Sequence, residues 1–209
     1  MLPEAFLERM RNQLGEEYEA FLESFQRPRA VALRLNPLKG EPPELPFVTA
    51  TVPWEPMGYY YAPQARPGLH PYHEAGVYYL QEASAMAPVV LLDPKPGERI
   101  CDLCAAPGGK TSQLAAALQG QGLLLANEFV AARAEILRQN LERMGVTNAV
   151  ITNEDTARLA AAMPGQFDRV LVDVPCSGEG MFRKEAVAAA QHNNALVAHC
   201  AELGAEILE

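Results

Sequence analysis

The sequence lacks a long apolar segment and is poor in cysteine. No run of about 18 or more apolar residues, the length that spans a bilayer, occurs among the 209 residues. The opening Met-Leu-Pro-Glu-Ala lacks the basic region of a secretory signal peptide. Four cysteines do not suggest a disulfide framework, which a chain of this size does not need. We therefore expect a soluble, cytoplasmic protein, and its oligomeric state stays open with a monomer as the working assumption.

Two of the four cysteines, Cys101 and Cys104, stand at the spacing of a zinc or redox pair. No second pair stands at ligand spacing, and the segment that contains them has the apolar pattern of a strand. We therefore expect no metal site in this chain.

Basic residues are also in short supply. Seventeen lysines and arginines stand against 26 acidic residues, a net charge of −9, which by itself argues against a nucleic-acid partner. Residues 26–39, however, contain Arg27, Arg29, Arg34 and Lys39 and no acid, and a further basic pair stands at 183–184. These residues predict either a local track for RNA or ordinary solvated surface charge.

The N-terminal third has a different pattern from the rest. Apolar residues recur at three- and four-residue spacing over Pro3–Phe25, which predicts one amphipathic helix or two helices broken near Gly15. Residues 30–35 alternate as a strand does. Nine prolines between Pro37 and Pro71 argue against a continuous helix or a central strand. The aromatic residues Tyr59–Tyr61 could stack on unpaired bases or pack within a small domain.

Beyond residue 94 the sequence alternates between strand and helix patterns, which predicts an α/β fold with parallel strands and right-handed crossovers. A further helix is expected to end near Leu92. The expected strands are 98–104, 122–128, 148–153 and 167–174. The expected helices are 109–119, 129–144 and 155–163.

A glycine turn joins the first of these strands to its helix. Gly108 and Gly109 let the backbone approach a ligand closely, and the helix that follows directs its free N–H groups and positive dipole end at the turn. The next strand ends at Glu128, 19 residues after Gly109. A nucleotide-binding fold places an acid there to bind ribose hydroxyls, so we favour an adenosine-type cofactor.

A phosphate-binding loop is the alternative interpretation of the same turn. Gly109-Lys110-Thr111 matches the end of its motif, but the first glycine of that motif should stand where Cys104 is. Such an ATPase would use Asp173, at the end of an apolar strand, to hold magnesium.

Two motifs carry a resemblance to a known family: Asp-Leu-Cys-Ala-Ala-Pro-Gly-Gly-Lys-Thr at 102–111 and Asp-Val-Pro-Cys-Ser-Gly-Glu-Gly-Met-Phe-Arg-Lys at 173–184. The chain resembles the RNA cytosine-5 methyltransferases, most of all the bacterial small-subunit ribosomal RNA enzymes of the RsmF type. The resemblance implies a Rossmann-like class I methyltransferase core over residues 76–209. A small α+β, RNA-facing domain over residues 1–75 would precede it, with the boundary near Gly76.

The resemblance also implies that S-adenosylmethionine is the cofactor and that RNA is the substrate. Asp155 would contact the adenine amino group, and Asp173 would lie both at the cofactor and at N3 of the base. The cofactor-binding residues implied by the resemblance are Cys104, Ala105, Ala106, Pro107, Gly108, Gly109, Lys110, Glu128, Arg133, Asp155 and Asp173.

The family divides catalysis between two cysteines. One, in a Thr-Cys motif on a later strand, attacks C6 of cytosine, and the other, which Cys176 matches, helps remove the C5 proton and release the enzyme. Cys176 and Asp173 are therefore the predicted catalytic residues. Cys200 lies in a segment that is typical of a helix and does not match Thr-Cys, so we expect the core to lack its C-terminal strands. A non-catalytic module that binds cofactor or RNA remains an alternative.

Overall fold

A computed structural model describes residues 2–41 and 43–209. They form two compact units: the larger comprises Ala30–Asp173, and the smaller joins residues 2–29 to Val174–Glu209. The helices are α1 (Glu4–Leu14), α2 (Tyr18–Ser24), α3 (Pro71–Glu74), α4 (Ala83–Leu92), α5 (Gly109–Leu118), α6 (Ala131–Met144), α7 (Thr156–Ala162), α8 (Ala186–Gln191) and α9 (Asn194–Leu208). The strands are β1 (Ala32–Leu35), β2 (Val48–Val52), β3 (Glu55–Tyr61), β4 (Tyr78–Leu80), β5 (Arg99–Asp102), β6 (Leu123–Asn127), β7 (Ala149–Thr152) and β8 (Arg169–Leu171). None of the described helices is long and apolar enough to span a membrane.

The first sheet of the larger unit is antiparallel, with the order β2-β3-β1-β4. The prediction that the proline-rich region holds no central strand was wrong, because β3 pairs on both sides and contains Pro56. Pro56 is tolerated because it is the second residue of β3, beside a register shift where the sheet needs fewer backbone donors. Tyr59, Tyr60 and Tyr61 on β3 are partly buried and pack against the apolar clusters of this sheet.

The second sheet is parallel, with the order β7-β6-β5-β8. The predicted strands and helices are confirmed, with their ends within a few residues of the expected positions. Leu124 and Ala126 of β6 pack on the α5 and α6 side, and Leu125 between them packs on the α7 side. Helices on both faces explain why the middle residues of these strands are apolar. The predicted domain boundary near Gly76 stays a prediction.

Arg34 connects the first sheet to the start of α5. Its side chain is 2% exposed and donates to Gln81 Oε1 (3.0 Å), Gly109 O (3.0 Å) and Ser112 Oγ (2.8 Å). Burial lowers its pKa to about 10, while Glu55 acts in the opposite direction. The prediction that Arg34 lies on an RNA track was therefore wrong. It fixes the glycine turn before α5 instead.

In the smaller unit, α1 and α2 confirm the predicted break near Gly15, which has a φ of +52°. Phe6 of α1 is buried, and its ring lies 5.0 Å from that of Phe182 and 6.2 Å from that of His192. The N-terminal helices thus share one aromatic cluster with Phe182 of the second sequence motif and with His192 after it.

Candidate functional site

The four strands of the parallel sheet end at one edge of the larger unit, with Asp102, Asn127, Thr152 and Leu171 as their last residues. Strands β6 and β7 follow β5 on one side of it, and the chain then crosses back to place β8 on the other side of β5. Folds of this kind bind ligands outside the carboxyl ends of the strands, where the strand order reverses. The gap between the ends of β5 and β8 is that position.

The glycine turn of residues 104–110 lies at this gap. Ala105 N donates to Asn127 O (2.8 Å), and Gly108, with a φ of +106°, donates to Ala105 O (2.8 Å). A Cβ on Gly108 would lie 3.1 Å from Leu137 Cδ1, and one on Gly109 would lie 3.2 Å from Tyr79 Cε1. Both glycines therefore allow the protein itself to pack around the turn, and α5 begins directly after it.

Helix α6 holds the outer side of the turn. Arg133 Nη2 donates to Ala106 O (2.9 Å), and Asn140 Nδ2 donates to Pro107 O (2.8 Å). Burial raises the pKa of Cys104 to about 11, and it raises the pKa of Cys101, on β5, to about 12. Neither thiol has the lowered pKa of a reactive cysteine.

Glu128 follows β6 at the same edge, and only 4% of its side chain is exposed. Its Oε1 accepts from Val130 N (2.9 Å), which ties it to the start of α6. Arg133 Nη1 lies 3.4 Å from each carboxylate oxygen. The structure thus brings Glu128 and Arg133, two of the predicted cofactor residues, into contact beside the turn.

Sequence reasoning missed Asn127. This side chain is fully buried, donates to Leu103 O (3.3 Å) and Glu154 O (2.9 Å), and accepts from Thr152 Oγ1 (2.8 Å) and Glu154 N (3.0 Å). It therefore connects the loops after β5, β6 and β7. The signal in the sequence was a polar residue closing an apolar strand directly before the acid Glu128.

Asp102 begins the first sequence motif, but it was not among the predicted site residues. Its Oδ2 accepts from Thr111 Oγ1 (2.8 Å), and its Oδ1 is buried without a partner among the described residues. The pKa of Asp102 is raised to about 6, mainly by burial and also by Asp173, while the Thr111 hydrogen bond, Lys110 and the backbone N–H of Cys104 act in the opposite direction. An unpaired buried oxygen is costly, so a ligand's donor that reached this atom would remove that cost.

Lys110 and Asp173 meet at the mouth of the gap. Lys110 Nζ lies 2.6 Å from Asp173 Oδ2, with the lysine side chain 19% and the aspartate side chain 55% exposed. One predicted residue of each motif is therefore in direct contact with the other. Asp155 is exposed and caps α7 by accepting from Ala157 N (2.9 Å), so its contact with adenine stays a prediction.

Cys176 belongs to the smaller unit, where it is exposed. The following Gly178 has a φ of +75° and opens a short 3-10 helix, Glu179–Met181. The Glu179 carboxylate forms an ion pair with Arg9 of α1, and its Oε1 lies within hydrogen-bond distance, 2.6 Å, of the His192 ring Nε2. Two separate segments thus hold the loop that begins at Cys176.

The remaining cysteine, Cys200, lies within α9 and is partly buried. The helix predicted for its segment is confirmed.

Comparison with known proteins gives two matches that together cover most of the chain. Residues 89–209 match the family described as 16S rRNA methyltransferase RsmB/F, and residues 2–83 match the N-terminal domain of 16S rRNA methyltransferase RsmF. Among the curated relatives, the ribosomal RNA small subunit methyltransferase F of Cronobacter sakazakii is 40% identical over 199 residues. That of Escherichia coli is 38% identical over 198 residues. Each alignment covers 88% of this chain, which spans 42% and 41% of the two relatives.

A solved structure of a methyltransferase homolog from Pyrococcus horikoshii is 29% identical, with a TM-score of 0.80 over 99% of this chain and 67% of the other.

Proposed function

The chain belongs to the RsmB/F family of 16S rRNA methyltransferases, and from this membership we propose that it acts on small-subunit ribosomal RNA. The reaction is methyl transfer from S-adenosylmethionine to C5 of a cytosine. The observation that carries the proposal is that the glycine turn, Glu128 and Asp173 lie at the same carboxyl edge of the parallel sheet, where the turn is joined to Asp173 through Lys110 and to Glu128 through Arg133. The ATPase alternative has no support in the family match. A cytoplasmic location follows from the RNA substrate.

The charges at this edge of the sheet fit S-adenosylmethionine better than a triphosphate. Three carboxylates, of Asp102, Glu128 and Asp173, stand at the edge against Lys110 and Arg133. The cofactor carries a sulfonium and an ammonium group, and it supplies an activated methyl group when bound. Glu128 would accept from its ribose hydroxyls, and the unpartnered Asp102 Oδ1 would accept from one of its donors. ATP would bring several negative charges to the same carboxylates.

Cytosine C5 is a poor nucleophile, so a thiolate must first add to C6 and make C5 enamine-like. We assign that attack to the Thr-Cys cysteine of the family, which this chain does not match. Once C5 carries the transferred methyl group, Cys176 would accept the C5 proton, and the electrons of that C–H bond would re-form the C5–C6 double bond as the C6–sulfur bond breaks and the attacking thiolate leaves. Asp173, held by Lys110 at 2.6 Å, would orient the base at N3.

The roles of the thiols are tested in a chain extended by the family's C-terminal region, which includes Thr-Cys. Cys176→Ala should leave C6 attack and methylation intact but block elimination, because the C5 proton is not removed. A covalent RNA adduct that survives a denaturing gel should therefore accumulate, and it should disappear when the Thr-Cys cysteine is also replaced.

Cys200→Ala is the matched control and should behave as the parent does. An adduct that accumulates when the Thr-Cys cysteine is replaced, and that is absent from Cys176→Ala, would reverse the two roles. An adduct that depends on Cys200 would identify Cys200 as the attacking thiol.

A further inference from the structure

One groove of the smaller unit collects most of its positive charge. The unit has six arginines and lysines, and four of them line a groove of about 650 Å³. The unit also has eleven acidic residues, but none of the described residues that line the groove is acidic. The four basic residues are Arg27, Arg29, Arg183 and Lys184. A local positive field can therefore exist on a unit whose net charge is negative.

The arginines Arg27 and Arg183 lie close to each other and to the ring of Phe25. Arg183 Nη2 donates to Arg27 O (2.6 Å), and its guanidinium lies 5.9 Å from the centre of the Phe25 ring. These two contacts hold Arg183 at the groove. Arg27 has only a loose ion pair with Glu23, at 3.7 Å with both side chains about 70% exposed, and such pairs contribute little. The Arg27 guanidinium is therefore available to an external anion.

Phe25 and Phe182 both line the groove and are partly exposed. Cations beside aromatic rings are the combination that binds single-stranded nucleic acid, because the cations meet phosphates and the rings stack on bases. A duplex keeps its bases stacked on one another, so it cannot use the rings in this way. The volume lies in the range of clefts that enclose a ligand, which fits a short piece of one strand.

We propose that this groove binds a single-stranded segment of the RNA substrate, with Arg27, Arg29, Arg183 and Lys184 on its phosphates and Phe25 and Phe182 against its bases. The proposal rests on the proposed function for the identity of the RNA. It also replaces the track expected from sequence, which wrongly included the buried Arg34. Arg183 and Lys184 are the last two residues of the motif that contains Cys176. The groove would therefore hold RNA on the same segment that carries the catalytic thiol.

The test compares Arg27→Gln/Arg29→Gln with Arg11→Gln/Arg158→Gln, a control that removes the same charge from exposed positions outside the groove. The probe is a short fluorescent RNA of mixed sequence, single-stranded or annealed to its complement, titrated at several salt concentrations. Losing two phosphate contacts should lower the log–log salt slope by about 1.4 and the affinity at 0.1 M salt by on the order of 25-fold. The control should match the parent, and the parent should prefer the single strand.

Equal slopes for the groove variant and the control would overturn the proposal, as would a parent that prefers duplex or binds no RNA. Stronger binding of the parent to phosphatidylserine vesicles, lost in the groove variant, would assign the groove to a membrane surface. Titration of S-adenosylmethionine separates failure of the groove proposal from failure of the proposed function, since both double variants should bind the cofactor as the parent does. If the groove variant binds RNA as the control does, and all three proteins bind the cofactor normally, only the proposal about the groove is refuted.

Discussion

Replacing Asp102 by asparagine should change how the stability of the larger unit depends on pH. Burial raises the pKa of Asp102 from 3.8 to about 6, so the folded state binds more protons than the unfolded state between these values. This carboxylate therefore costs no stability below about pH 3.8. The cost grows as the pH rises and is complete above about pH 6.

The magnitude follows from the two pKa values. A difference of one pH unit corresponds to about 1.4 kcal/mol, so ionising the buried carboxylate costs about 3 kcal/mol above pH 6. Asparagine cannot ionise, and any fixed packing cost that it adds is the same at every pH. The free energy of unfolding of Asp102→Asn, minus that of the parent, should therefore rise by about 2 to 3 kcal/mol between pH 4 and pH 7.5.

Urea unfolding at a series of pH values measures this difference. Trp54 is the single tryptophan and belongs to the larger unit, so its fluorescence reports the unfolding of that unit. Thr111→Val provides a second variant, because it removes a hydrogen bond that lowers the pKa of Asp102 and should move the pH window upward. A constant difference between Asp102→Asn and the parent across the pH range would refute the reasoning.

Three further changes test the packing of the larger unit. Asn127→Ala removes the cross-links between three loops and should cost about 2 to 4 kcal/mol, measured by urea unfolding; a loss below about 1 kcal/mol would contradict its role. Gly122→Ala places a Cβ 2.1 Å from Glu98 O, whereas Gly120→Ala meets nothing within 4 Å at a similar positive φ. The first should lower the melting temperature much more than the second, which should cost about 1 kcal/mol, and equal losses would show that only φ matters. Arg34→Gln removes donors from the buried acceptors of Gln81, Gly109 and Ser112 and should destabilise the larger unit by about 3 kcal/mol, and a neutral result in urea would mean that its buried bonds are dispensable.

Local signals in the sequence predicted the parallel sheet well. The helix expected at 129–144 is observed at Ala131–Met144, and Gly145 ends it in the left-handed conformation that a C-terminal cap requires. The strand expected at 122–128 is observed at Leu123–Asn127. Both depend on neighbouring residues alone, so a sequence pattern suffices to predict them.

Long-range partners explain what the sequence did not predict. Nothing local shows that Arg34 is buried, because its partners Gln81 and Ser112 are 47 and 78 residues away. Pro56 lies in an interior strand because a register shift in the sheet accommodates it. The same reason applies to the unpartnered oxygen of Asp102, since Asp102 lies on a strand that pairs with Ala126 on one side and Leu171 on the other.

The proposed cofactor site is tested most directly by calorimetric titration of S-adenosylmethionine into the chain and into Glu128→Gln. Glu154→Gln is the matched control, because Glu154 lies at the same edge with 42% of its side chain exposed. Losing the hydrogen bonds from the ribose hydroxyls to a charged carboxylate costs about 1.5 to 3 kcal/mol, on the order of ten- to a hundredfold in affinity. We predict that loss for Glu128→Gln, parent-like binding for Glu154→Gln, and weak competition by ATP. Unchanged affinity in Glu128→Gln would remove Glu128 from the site, and tighter binding of ATP than of S-adenosylmethionine would favour the phosphate-binding loop instead.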